Sequence, residues 1–158
     1  MLFTLSPRPL VAGAPPLESV SLPEGEGQVL APAGWSREPA TQAACGGLAP
    51  AENGLASSHP LDYTLVLRAL RWTAGRAALE QVVEACGAGA GRGARAAGTS
   101  GPQYALRFAR LGVPIEARGI LLSREGESLL LELEGPVATM PIVEGLYDRW
   151  VREVAGER

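Results

Sequence analysis

The stretch Ser128–Glu134 alternates Leu129, Leu131 and Leu133 with Leu130, Glu132 and Glu134. Only an extended strand sends successive side chains to opposite faces. Ile115–Ser123 precedes it across Arg124-Glu125-Gly126-Glu127. The two segments predict an antiparallel hairpin with one buried face and one mostly wet face, and Gly135-Pro136 ends its second strand. Whatever else the chain forms must fold against this ribbon as one unit.

Helical signals surround it. Ser58 is placed as an N-cap, with Pro60 in the first turn. Thr64, Arg68 and Arg71, four and three apart, lie away from Leu61, Leu65, Leu67, Leu70 and Trp72, which predicts a helix over 61–72. Thr73-Ala74-Gly75 weakens that helix. A second run over 74–86 exposes Arg76, Glu80 and Glu84 and turns Ala78, Leu79, Val82, Val83 and Cys86 inward. Ser100-Gly101-Pro102-Gln103 has the letters of a capping box. It predicts a helix over 102–111 that buries Ala105, Phe108 and Leu111 and stops at Gly112 before Pro114. A last helix over 140–154 carries the stripe Val143, Leu146, Tyr147, Trp150, Val151 and Val154.

The first 57 residues read differently. Gly and Pro supply 33 of the chain's 158 residues and are frequent in this part, which favours irregular structure. Leu17–Leu22 and Gln28–Ala31 flank Pro23-Glu24-Gly25-Glu26-Gly27 as a hairpin with a long turn, and residues 32–57 read as loop. The fold class expected is therefore α+β. Helices pack against a small antiparallel sheet with a C-terminal helix, in a domain spanning 58–158, preceded by a loop-rich N-terminal arm over 1–57.

Charge and motifs narrow the functional classes. All 14 basic residues are Arg. Residues 61–124 carry nine Arg and four acids (net +5), and residues 125–158 carry eight acids and three Arg (net −5). Such halves neutralise each other on one surface or across a dimer, or mark a nucleic-acid footprint. Gly89-Ala90-Gly91-Arg92-Gly93-Ala94 has the letters of a dinucleotide fingerprint, but no strand precedes it, so it reads as a linker. His59 is the one histidine and has no partners at metal-ligand spacing. It reads as a helix-start residue, and no metal, cofactor or catalytic residue is assigned. Glu116 and Glu132 read as surface partners of Arg118 across the hairpin, and the chain reads as leaning away from enzymes. Cys45 and Cys86 suffice for one bridge, yet nothing marks the chain as secreted. No stretch is apolar enough for a membrane span, and the expected location is cytoplasmic.

Trp72, Phe108, Tyr147 and Trp150 lie on the predicted helix faces and are the candidate lining of a core or an apolar ligand cavity. Four features in order carry a family resemblance over residues 65–155: Leu67-Arg68-Ala69-Leu70 leading to Ala74-Gly75-Arg76-Ala77-Ala78-Leu79, the segment Tyr104–Leu111 ending in Leu111-Gly112, Leu131-Glu132-Leu133-Glu134-Gly135-Pro136, and Glu144-Gly145-Leu146. In these the chain resembles the 4-vinyl reductase domain family, related to the small subunits of the TRAPP tethering complex. Asp148 and Arg149 stand where that family often has cysteines. The resemblance implies a homodimer or larger protein assembly with a hydrophobic pocket, working as a non-catalytic small-molecule-binding or assembly/adaptor module. The alternative is a winged-helix nucleic-acid binder, with Arg107 and Arg110 on the recognition helix and Arg118 and Arg124 on the wing. Its tip, however, bears Glu125 and Glu127.

Overall fold

A computed structural model describes residues 15–22, 27–46, 53–72, 95–97, 101–124 and 127–156. Nine strands run through them: β1 Leu17–Ser21, β2 Gln28–Pro32, β3 Ser36–Pro39, β4 Asn53–His59, β5 Asp62–Trp72, β6 Arg95–Ala97, β7 Gly101–Arg110, β8 Val113–Arg124 and β9 Glu127–Pro136. The one α-helix among the described residues is α1, Glu144–Val154, which follows a 3-10 turn at Met140–Ile142. β1 and β2 pair as a separate antiparallel ribbon, while the other strands form one antiparallel sheet in the order β3-β4-β5-β9-β8-β7-β6. The fold is thus mostly β, and the expected α+β arrangement of helices on a small sheet is overturned.

The correction has a local cause at each segment. In β5, Leu65, Leu67 and Ala69 face one side of the sheet and Leu70 the other, and all four are buried. A strand covered on both faces loses its apolar–polar alternation. Arg68 points to an interior ion pair, so the spacing of Thr64, Arg68 and Arg71 imitated a helix's wet stripe. In β7 the alternation is intact, with Tyr104 and Leu106 buried and Ala105 and Arg107 exposed. Gly112, which reads as a helix terminator, is instead the second residue of the β7–β8 turn. Both turn residues have positive φ, 53° at Leu111 and 82° at Gly112, as a tight two-residue hairpin requires. Ser58 lies inside β4, a strand that crosses the boundary expected at residues 57–58. The segment 74–86 lies outside the described residues.

Other expectations hold. β1 and β2 pair as the early hairpin, Leu17 opposite Pro32 and Ser21 opposite Gln28. β8 and β9 pair from Ile115 opposite Pro136 to Arg124 opposite Glu127. The face of β9 expected to be wet is not: Leu130 and Glu132 are fully buried and Glu134 nearly so.

Two apolar layers result. On one face Leu65, Leu67, Leu131, Leu133 and Ile120 pack beneath the α1 stripe and the β1–β2 ribbon. α1 presents Leu146, Tyr147, Trp150 and Val151 to them, one side of the 3.6-residue period. On the other face Leu70, Leu130, Leu121 and Leu106 pack with Tyr104 and with Ala43 and Ala44.

Candidate functional site

A cleft of about 300 Å³ opens where the β1–β2 ribbon and the end of α1 meet the large sheet. Its floor is a row across three strands: Arg71 of β5 lies opposite Leu129 of β9, which lies opposite Leu122 of β8. The ribbon supplies Leu22, Val29 and Leu30, and α1 supplies Val154 and Glu153. The walls are mixed: the aliphatic side chains share the surface almost equally with polar groups, from Arg71, Glu153, Gln28 and Ser19, whose hydroxyl donates to the Gln28 amide oxygen. Gly27 lets the ribbon pass close by. Its φ is 91°, and a Cβ there would stand 3.0 Å from Arg71 Nη1. The turn is closed by the Leu22 amide donating to the Gly27 carbonyl at 2.9 Å. A volume of this order, with aliphatic side chains beside fixed polar groups, is within the range of small-molecule sites.

On the opposite face a polar row crosses the sheet. Tyr104, Gly119, Glu132 and Arg68 are consecutive register partners from β7 through β8 and β9 to β5. Glu132 is fully buried, and each of its oxygens has two donors. Arg68 Nη1 at 2.7 Å and the Ala44 amide at 3.1 Å meet Oε1; the Tyr104 hydroxyl at 2.5 Å and the same amide at 3.0 Å meet Oε2. Arg68 also reaches Glu134 at 2.7 Å, and Arg110 holds the other Glu134 oxygen at 2.6 Å. Burial works against the Glu134 charge, but Arg68 and Arg110 overcome it and hold the carboxyl below its ordinary value. Burial, reinforced by the Glu132 charge, pushes the Tyr104 phenol well up. With its acceptor positions engaged from within the protein, Glu132 acts as a tie between the sheet and residue 44.

Of the four aromatics singled out from sequence, the three with described side chains do not converge. Trp150 is buried, and its indole donates to the Leu30 carbonyl at 2.7 Å. Tyr147 donates to the Leu131 carbonyl at 3.0 Å. The two rings lie 6.2 Å apart and fasten α1 to the ribbon and the sheet. Phe108 is on the opposite face of the sheet, with Arg110 5.5 Å from its ring centre. Trp72 ends β5, and its side chain lies outside the described residues. Phe108, Tyr147 and Trp150 are not among the residues that line the cleft.

The Arg residues of the winged-helix alternative sit on strands, because the segments 61–72 and 102–111 are β5 and β7. Arg107 pairs with Glu116 at 3.1 Å, and Arg118 pairs with both Glu116 and Glu144. Arg124 is in β8, with its side chain outside the described residues. Of the surface pairing expected of Arg118 with Glu116 and Glu132, the Glu116 pair forms, but with a buried acid, and Glu132 belongs instead to the interior row. His59 ends β4, accepts from the Leu61 amide at Nδ1 and lies edge-on to Trp35 at 5.1 Å. Cys45 is disulfide-bonded. Among the described residues no group of three or more metal-ligating side chains comes together, and no helix is long and apolar enough to cross a membrane.

No family model matches the chain, and no curated protein does. Of the features behind the resemblance to the 4-vinyl reductase domain family, Leu67–Leu70 lies in β5 and Tyr104–Arg110 in β7, both strands where helices were implied. Among solved structures the chain is similar to cyanobacterial PsbP (CyanoP) from Synechocystis sp. PCC 6803. The identity is 13%, the match covers 85% of this chain and 88% of that one, and the TM-score is 0.48. It is also similar to PA94, a protein of unknown function from Pseudomonas aeruginosa, at 14% identity, with 84% and 92% covered and a TM-score of 0.42. No residue role transfers at these values.

Proposed function

We propose that the chain is a non-catalytic binding module whose cleft takes a small amphipathic molecule with an acidic head group, such as a medium-chain carboxylate. The observation that carries this reading is the floor row of the cleft, in which one guanidinium, Arg71, stands in line with Leu129 and Leu122. An aliphatic tail lies against Leu22, Val29, Leu122, Leu129 and Val154. The head group meets Arg71, whose planar fork suits a carboxylate. Glu153 also lines the cleft, and its charge is met from within α1 by Arg149 at 3.9 Å.

The homodimer implied by the resemblance is not part of this reading, because α1 turns Gly145, Asp148, Arg152 and Glu153 outward and offers no apolar seam. The expected cytoplasmic location is set aside as well. Cys45 is bridged, and Cys86 is the chain's only other cysteine. Protein disulfides persist in oxidising compartments, so our reading places the module in one.

Calorimetric titration with decanoate tests the reading. Wild-type protein is expected to bind one equivalent, and Arg71→Gln to bind about tenfold more weakly, the loss expected when a charged hydrogen-bonding partner is removed. Equal affinity in the two proteins, or no heat with either, counts against it.

A further inference from the structure

The large hydrophobic side chains exposed among the described residues are Leu61, Tyr63, Leu111, Val113 and Ile142. They fall in three stretches far apart in sequence, yet the fold brings all five to one end. Leu61 is in the β4–β5 turn and Tyr63 is the second residue of β5. The start of β5 lies beside the end of β9, since Val66 pairs with Glu134. The end of β9 in turn lies beside the start of β8, since Ile115 pairs with Pro136. Leu111 and Val113 form and follow the β7–β8 turn. The turn carrying Ile142 is anchored at the same end, where the Val137 amide donates to the Pro114 carbonyl at 3.0 Å. With strands about 4.8 Å apart, the two hairpin tips stand about 14 Å from each other. The ligand cleft is at the other end of the sheet, where Arg71, Leu122 and Leu129 lie.

Leu111 is the most telling of the five. It is 99% exposed and has a φ of 53°. That conformation suits Gly, Asn or Asp, and a leucine there is disfavoured. A strained leucine with no buried surface contributes nothing to the fold, and strain of this kind collects at contact sites.

The charges around the tip have a consistent arrangement. Arg107 and Arg110 lie on opposite faces of β7 next to the turn. Each pairs with an acid that is itself buried: Glu116 at 6% side-chain exposure and Glu134 at 3%, against 67% and 52% for the two arginines. The carboxylates lie inside and the guanidiniums face out. Asp62, an acid on this rim, accepts from the Thr64 amide at 3.0 Å and from the Thr64 hydroxyl. The end therefore presents separate apolar prongs, one tyrosine, the Asp62 carboxylate and outward guanidiniums.

We infer that this end of the sheet docks on an anionic lipid surface, with Leu61, Leu111 and Ile142 entering the acyl boundary, Tyr63 at head-group depth, and Arg107 and Arg110 facing lipid phosphates. Prongs on separate turns suit a fluid interface, into which each inserts alone. Aromatic side chains and arginines favour its polar layer. The cleft then faces away from the bilayer.

The test is co-sedimentation of the full chain with vesicles of phosphatidylcholine alone or mixed with phosphatidylglycerol. The variant is Leu111→Gly combined with Leu61→Ser. Glycine relieves the positive-φ strain, so the Leu111→Gly change removes a prong while favouring the folded state, and a melting curve checks that the variant is folded. Wild-type protein is expected to pellet with the anionic vesicles, at least fivefold less with the neutral ones, and at least fivefold less when the variant replaces it. Absence of wild-type protein from both pellets overturns the proposal, as does equal pelleting of wild type and variant. It is also overturned if light scattering shows a wild-type mass twice that of the variant, because the prongs then meet a second copy of the chain.

Discussion

Tyr104 reaches Glu132 over the bare backbone of Gly119, placing its hydroxyl 2.5 Å from Oε2 across an intervening strand. A Cβ on Gly119 would stand 2.4 Å from the Tyr104 ring. The ring, the hydrogen bond and the missing side chain therefore form one arrangement. Gly119→Ala is expected to lower stability by about 3 kcal/mol by overpacking. Tyr104→Phe is expected to cost about 1–3 kcal/mol, because a buried carboxylate oxygen loses a donor. Urea unfolding of the two variants and of their combination measures both, and the pair should be strongly non-additive.

The centre of the row is more demanding. Arg68→Met leaves the carboxylates of Glu132 and Glu134 buried without their shared cation. Removing one member of a buried pair costs about 3–5 kcal/mol. Chemical denaturation is expected to show a loss in that range, and a loss below about 1 kcal/mol would contradict the burial described for Glu132.

Acid should weaken the fold through Glu134. Its folded-state pKa is depressed below the ordinary 4.5. The stability it contributes is therefore complete above pH 4.5 and is lost as the pH falls through the lower folded-state value. Glu134→Gln should flatten that part of a melting-temperature profile. Alkali acts through Tyr104, whose folded-state pKa is raised well above the ordinary 10.0. Stability should decline as the pH rises past 10, because the unfolded chain releases that proton first.

Leu111→Gly should raise stability by about 1 kcal/mol, since glycine adopts positive φ without steric penalty and no buried contact is lost. Thermal melts give the sign directly.

Mass spectrometry after alkylation without reductant should find no modified cysteine, and complete modification after reduction under denaturing conditions. Cys45→Ser is expected to destabilise by about 2–4 kcal/mol.

Several elements were legible from residues alone. The β8–β9 hairpin and α1 each have a single clear period, and the Pro-Glu-Gly-Glu-Gly segment marks the β1–β2 turn. β5 was hidden because both its faces are covered, so burial erased the alternation that identifies strands. β7 kept its alternation, but a capping-box tetrapeptide and a following glycine outweighed it; in the fold that glycine closes a hairpin. Glu132 read as a surface acid because its partners, Tyr104, Arg68 and the Ala44 amide, are distant in sequence and meet only through strand order. Arg71 escaped notice as a site residue for the same reason. Its neighbours Leu129 and Leu122 lie four and three strands further along the chain, and nothing local marks it apart from Arg68.

The account turns on the cleft at the Arg71 end of the sheet. Amide shifts in a 15N spectrum recorded as decanoate is added test it most directly. The account predicts saturable shifts grouped at Ser19, Gly27, Gln28, Arg71, Leu129 and Val154, with Leu61 and Leu111 unmoved. Shifts grouped at Leu61 and Leu111 instead, or none that saturate, would contradict it.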